Sequence, residues 1–127
     1  MIVLDTHAWI WWATADTRLS KRARTEIERA DVRGVSPVSC YEVARLAARG
    51  RVKFDRDAAT WIRQALAQPR VIVLDITPEI CTAAALLTDF HGDPIDRVLA
   101  ATAIEHDAPI ATKDTRIRSS GAVRCCW

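Results

Sequence analysis

A recurring unit constrains this chain more than any other feature. A short apolar run ends, and a helix-start signal follows within a few residues. The first run is IVLD, residues 2–5. Its length and unbroken apolar character fit a strand buried on both faces, as in a parallel sheet. GVSP at 34–37 reads as a second strand, and VIVLDI at 71–76 is the most strand-like run in the chain. Residues 109–112 read as a fourth strand, and 123–125 as an edge strand. Helical patterns fill the intervals. AWIWWA brings Trp9, Trp12 and Ala13 near one face, and Ser20 can cap a helix over 21–30. Ser39 and Glu42 have the S-x-x-E form of a capping box, ahead of a helix that runs to Arg49 and closes at Gly50. Residues 57–68 place Ala58, Trp61, Ile62, Ala65 and Leu66 on one side, and Pro69 ends that helix. Thr77 and Pro78 open a further helix that continues through CTAAALLTDF. Strands that alternate with helices in this way predict an α/β fold around a mainly parallel central sheet, with all 127 residues in one domain.

Residues 92–114, GDPIDRVLAATAIEHDAPIATKD, hold the densest chemistry. Asp93 is placed to cap a helix, Pro94 suits its first position, and Asp96 falls at the third. Ala100, Ala101 and Ala103 allow this helix to pack closely on a sheet, and Asp114 comes just after the next strand. Parallel sheets bind ligands outside the carboxyl ends of their strands. Asp5 ends the first strand, Glu42 lies in the first turn after the second, and Asp114 follows the strand at Ile110. Asp96 opens the helix that feeds that strand.

Each acid also has a structural use. Glu42 can complete its capping box, Asp93 can cap, and Asp96 can complement a helix dipole for about 0.3–1 kcal/mol. Capping does not account for Asp5 at the end of a buried strand together with the T-x-D of Thr112 and Asp114. Two carboxylates about 4 Å apart repel by about 4 kcal/mol at an effective dielectric of 20. Gathered acids therefore take up a proton or hold a cation. Hard oxygen ligands favour Mg²⁺ or Mn²⁺ over zinc.

Composition narrows the function classes. The net charge is +2, too small for a general nucleic-acid coat, and 15 of the 18 basic residues are arginine. Arginine suits phosphate recognition because its guanidinium is a planar fork. No apolar run is long enough to span a bilayer, and the opening residues lack the basic and cleavage segments of a signal peptide. Cys40, Cys81, Cys125 and Cys126 have no zinc-site spacing and read as reduced thiols of a cytoplasmic protein. Trp9, Trp11 and Trp12 are three indoles in four positions, too many for one buried helix face. With Trp9 and Trp12 in the core, Trp11 is left to face a partner, joined by Leu46 and Trp61. His7 lies close to Asp5 in sequence, while His91 and His106 stand apart.

The order and spacing of V-L-D-T-H, S-x-x-E, D-P-x-D-R-V-L-A-A-T-A and T-K-D resemble the PIN domain, and more closely the VapC-type toxins of bacterial toxin–antitoxin pairs. The resemblance spans nearly the whole chain. It implies a Rossmann-like three-layer α/β/α fold and a metal-dependent ribonuclease. It maps an acidic quartet to Asp5, Glu42, Asp96 and Asp114, with Thr112 supporting the last acid and Asp93 outside the core set. On that basis Asp5, Asp96 and Asp114 would bind Mg²⁺ or Mn²⁺, and Glu42 would be a ligand or general base. Arg97, Lys113, Arg116 and Arg118 are then candidates to grip RNA phosphates, with a structural ion pair the alternative for Arg97. The resemblance further implies a homodimer, and a small antitoxin that lays a helix in a hydrophobic groove and blocks the acidic site. The ending SSGAVRCCW matches no part of the pattern. Two other readings of the same residues are open. One is a phosphotransfer or phosphatase domain with Asp5 as nucleophile, although Asp5–Thr6–His7 lacks the D-x-D of haloacid dehalogenases and Lys113 precedes Asp114 where receiver domains have proline. The other is a non-catalytic binding module that keeps its acids as caps.

Overall fold

The computed structural model describes all 127 residues. The strands are β1 (Ile2–Leu4), β2 (Arg33–Val35), β3 (Val71–Val73), β4 (Ile110–Ala111) and β5 (Cys125–Cys126). Every neighbouring pair is parallel, in the order β3-β2-β1-β4-β5. The first half of the chain thus builds outward from β1 on one side and the second half on the other. This makes the crevice between β1 and β4 the topological switch point, where parallel sheets bind ligands.

Seven helices cover the sheet: α1 (Thr6–Ala13), α2 (Lys21–Arg29), α3 (Pro37–Ala48), α4 (Ala58–Leu66), α5 (Pro78–Leu86), α6 (Pro94–Glu105) and α7 (Thr115–Ser120). β1 shows why both faces are needed. Its side chains alternate, and all three are buried. Ile2 and Leu4 join a core with Trp9 of α1, Ile27 of α2, Val43 of α3 and Trp61 of α4. Val3 joins the opposite core with Leu99 and Ala103 of α6, Ile110 of β4 and Ile117 of α7. The small residues of α6 let it lie close to β1: Ala100, Ala101 and Ala103 are all buried. The result is the three-layer α/β arrangement. No helix is long and apolar enough to cross a membrane.

Several elements differ from the sequence reading. α3 begins one turn earlier, with Ser36 as its N-cap, accepting from Val38 N, and Pro37 at the first position. Pro37 needs no hydrogen-bond partner there, so it starts the helix rather than ending the strand. Ser39 is therefore buried inside the helix and does not cap it. Glu42 moves from the first turn to the second. α5 stops at Leu86, and residues 87–93 form a loop in which Asp89 takes a left-handed conformation. α7 has no counterpart in the sequence reading, and the last strand is 125–126 rather than 123–125. The run VIVLDI yields only three paired residues at the sheet's edge, with Ile72 and Val73 exposed.

Candidate functional site

Three helix starts converge at the carboxyl ends of β1 and β4. Asp5 leaves β1 and caps α1, its Oδ1 accepting from Ala8 N at 2.7 Å. Asp114 caps α7, accepting from Arg116 N at 2.7 Å and from Ile117 N at 3.4 Å. Asp93 caps α6, accepting from Ile95 N and Asp96 N, and Asp96 sits within that first turn. Capping and clustering are thus the same placement: an acid that ends a parallel strand or opens a helix at this edge points into the switch-point crevice. Asp5, Glu42, Asp93, Asp96 and Asp114 all line one cavity of about 660 Å³. Glu42 reaches it from the second turn of α3.

The acids sit in unequal surroundings. Asp5 is only 8% exposed, and burial pushes its pKa up to about 6 against the pull of the Thr112 hydroxyl and the Ala8 amide. Thr112 has a second duty: its Oγ1 accepts from Asp114 N at 3.0 Å. It therefore ties the first acid to the last across β1 and β4. Burial also raises the pKa of Asp96, and the charges of Asp93 and Asp114 add to that rise while a hydrogen bond from His91 opposes it. Asp114 goes the other way, its pKa lowered by the Arg116 guanidinium.

Arg116 is the cation the cluster makes for itself. Its Nη2 lies 2.9 Å from Asp114 Oδ2 and 3.5 Å from Asp96 Oδ2. No three carboxylate, imidazole or thiol groups stand close enough together to form a metal cage in this conformation. The residues nonetheless suit a hard divalent ion. Buried Asp5 is left poorly neutralised, the donors are oxygens, and the one positive charge lodged between Asp96 and Asp114 belongs to a side chain 59% exposed and able to swing away.

Other predicted residues separate. Lys113 and Arg116 line the cavity, but Arg118 does not. Arg97 neither lines it nor forms an ion pair, because its guanidinium is taken up by main-chain carbonyls of α5 and the following loop. Of the candidate partner contacts, Trp9 and Trp61 are core residues packed on each other with ring centroids 5.3 Å apart. Trp11 is buried and Trp12 half-buried, the reverse of the expected division. α1 lies close over the sheet, so Ala8, Trp9, Ile10 and Trp11 are buried in succession rather than on one stripe. Leu46 is half-buried against the same core.

The sequence reading missed Arg18 and noted His7 only as a neighbour of Asp5; both line the acidic cavity. Trp11 organises this rim. The Arg18 guanidinium lies 5.2 Å from its ring and the Lys113 ammonium 5.7 Å, with the His7 ring 5.5 Å away. Asp16 fixes Arg18 further through paired bonds of 2.7 and 3.0 Å. The available signal was the pairing of an unexplained indole with loop cations on both sides of it in the fold, which spacing along the chain does not reveal.

Comparison with known proteins identifies the family and the fold. The family profile described as the PIN domain matches residues 2–122. The chain is 40% identical over 119 residues to Ribonuclease VapC22 of Mycobacterium tuberculosis, covering 93% of this chain and 90% of that protein. Among solved structures, VapBC2 from Rickettsia felis, bound to a DNA fragment from its promoter, superposes with a TM-score of 0.72 at 13% identity. That match covers 99% of this chain and 98% of the other. VapBC-1 from nontypeable Haemophilus influenzae gives 0.69 at 19% identity, covering 99% and 97%. FitAcB from Neisseria gonorrhoeae gives 0.64 at 18%, covering 98% and 96%. At these identities the structural likenesses speak for the fold.

Proposed function

The chain belongs to the PIN-domain family, and from that membership we propose that it is a metal-dependent endoribonuclease, the toxin of a toxin–antitoxin pair in the cytoplasm. The observation that carries the proposal is the convergence of five acids on one cavity at the switch point, with a guanidinium standing where a cation is called for. Asp5, Asp96 and Asp114 are the proposed ligands of Mg²⁺ or Mn²⁺. Such an ion, when bound, neutralises charge on the phosphate oxygens and makes water a stronger nucleophile.

The chain's own residues supply the rest. Thr112 holds Asp5 and the backbone of Asp114 in one frame. Glu42, on a helix of its own, would orient the attacking water and accept its proton as the new phosphorus–oxygen bond forms and the bond from phosphorus to the departing ribose oxygen breaks, that oxygen taking a proton from solvent; or Glu42 joins the ligands. Arg18 and Lys113, steadied by Trp11, grip phosphates of the RNA on one rim, and Arg116 does so on the other once released from Asp96 and Asp114.

The antitoxin helix would seat in the apolar groove between α3 and α4, lined by Ala44, Ala47, Val52, Phe54 and Ala58. A homodimer would cover exposed apolar residues of β3, α5 and the segment between them, namely Ile72, Val73, Ile76 and Leu86. The test is cleavage of RNA by purified chain freed of any partner, with Mg²⁺ or Mn²⁺ and with chelator. Metal-dependent cleavage that Asp5→Asn abolishes is the expected result. Chelator-resistant cleavage, or an undiminished Asp5→Asn variant, refutes the assignment.

A further inference from the structure

Asp96 is held from outside the acid cluster, by a ring whose own placement leads back to one arginine. The ring is His91, in the loop between α5 and α6. Its Nε2 donates to Asp96 Oδ2 at 2.7 Å, and both groups are largely buried. Because the carboxylate can only accept, Nε2 carries the N–H of that bond. Nδ1 is buried without a partner, so the ring is committed to a single hydrogen bond, the one to Asp96. The arginine contact on Asp96 falls on the same oxygen, Oδ2, which leaves Oδ1 free.

A loop residue cannot aim a carboxylate unless the loop is itself fixed. Arg97, one position beyond Asp96, does this. Its Nε donates to Ala84 O at 2.8 Å, and its Nη2 to Ala85 O at 3.1 Å and Leu87 O at 2.7 Å. Its Nη1 donates to Phe90 O at 2.9 Å and His91 O at 3.1 Å. Ala84 and Ala85 belong to the last turn of α5, whose carbonyls lack helical partners and whose dipole favours a cation. The same guanidinium therefore ends α5 and draws residues 87–91 onto the start of α6. Phe90 completes the arrangement. Its ring lies 5.9 Å from the Arg97 guanidinium, and the His91 ring stacks on it at 4.6 Å with a 21° tilt. Backbone and ring of His91 are fixed from two sides.

We propose that His91 is a positioning residue for Asp96, holding its carboxylate in the orientation that presents Oδ1 to a divalent ion, and that Arg97 is the clamp that places His91. The proposal rests on reading Asp96 as a metal ligand. Hydrogen bonds to ligating groups set their orientation and basicity, and their loss commonly weakens metal binding by about 10- to 100-fold.

Two substitutions separate the donor from the ring. His91→Phe keeps the stack on Phe90 and removes the donor. His91→Gln loses the stack and returns an N–H near the place of Nε2. Mn²⁺ affinity is read by electron paramagnetic resonance of the free ion, with melting curves alongside and RNA cleavage as a second measure. His91→Phe is expected to weaken Mn²⁺ binding by about tenfold or more while still folding, and His91→Gln to recover most of that loss. Arg97→Lys should weaken binding as well, because one ammonium cannot reach five carbonyls. Wild-type affinity in His91→Phe, or equal losses in the Phe and Gln variants, overturns the positioning role. A wild-type protein that takes up no Mn²⁺ instead overturns the metal reading of the site, and this proposal falls with it.

Discussion

The two ends of the sheet solve opposite problems. At the amino end, Arg33 opens β2 and is almost wholly buried. Its Nε donates to Ile27 O at 2.8 Å, its Nη1 to Pro69 O at 2.9 Å and its Nη2 to Glu28 O at 3.1 Å. The Trp12 ring lies 4.9 Å from the guanidinium. A charge is buried here, but it is matched by carbonyls at the end of α2 and in the loop before β3. At the carboxyl end a charge is buried and left unmatched. Asp5 is pushed up to about 6 by burial, and Asp96 is raised beside it. The same sheet is sealed at one end and electrostatically unsettled at the other. Stability was secured where no ligand comes, and given up where one does.

The comparison can be broken at its sealed end first. Arg33→Ala takes the guanidinium away from the carbonyls of Ile27, Glu28 and Pro69, the first of them in a buried bond, and removes the contact with Trp12. A loss of about 2–4 kcal/mol is expected, from unsatisfied polar groups and the lost cation–π contact together. Urea unfolding measures it. Mn²⁺ affinity of the folded fraction should be unchanged, and a large change there would mean that the two ends are not independent.

The unsettled end should respond with the opposite sign. Asp5 has a folded pKa near 6 against an ordinary value of 3.8. The native state therefore holds a proton that the unfolded chain has released between these values, so stability falls as pH rises from about 4 to 6. The full cost above that window is about 3 kcal/mol, at about 1.4 kcal/mol per pKa unit. Asp5→Asn should then raise the metal-free melting temperature at pH 7 and flatten this part of the pH profile. Mg²⁺ should stabilise the wild type and leave the Asn variant unmoved. An Asn variant that melts below the wild type at pH 7 contradicts the picture of an unmatched acid.

The same contrast bears on what was legible in the sequence. Strands buried on both faces announce themselves as unbroken apolar runs, and IVLD was read correctly as β1. VIVLDI was the strongest such run and became an exposed three-residue edge, because apolar content reports surface to be covered and not position in the sheet. The acids were readable as a set because strand ends and helix starts are local features. Ser39 and Glu42 mimicked a capping box, but Ser36–Pro37 made the better start, since proline at the first helical position wastes no donor. The clamps were not readable at all. Arg33 and Arg97 look like any surface arginine until the loops they bind are brought to them: Pro69 O is 36 residues from Arg33, and Ala84 O is 13 residues from Arg97. Trp11 misled for the same reason, since Arg18 and Lys113 reach it from separate loops.

The smallest expected effect tests whether the unsettled end is built to exchange its cation. Arg116 is mostly exposed, and exposed ion pairs, screened by solvent, contribute little to stability. Arg116→Ala should therefore shift the urea midpoint very little, far less than Arg33→Ala. It should have a larger consequence for ions. With the guanidinium gone from Asp96 and Asp114, a divalent ion no longer competes with it, so Mn²⁺ affinity should rise by about a few-fold. RNA affinity should fall over the same substitution, with a shallower salt dependence, because one phosphate contact is lost. Both directions matter. If Mn²⁺ and RNA affinity fall together, Arg116 helps to assemble the site and is not a temporary occupant of it. If Mn²⁺ binding tightens while RNA binding weakens, the one cation visible among the acids is a placeholder, and the carboxyl end of the sheet is unsettled because it is shaped around a charge that arrives from outside.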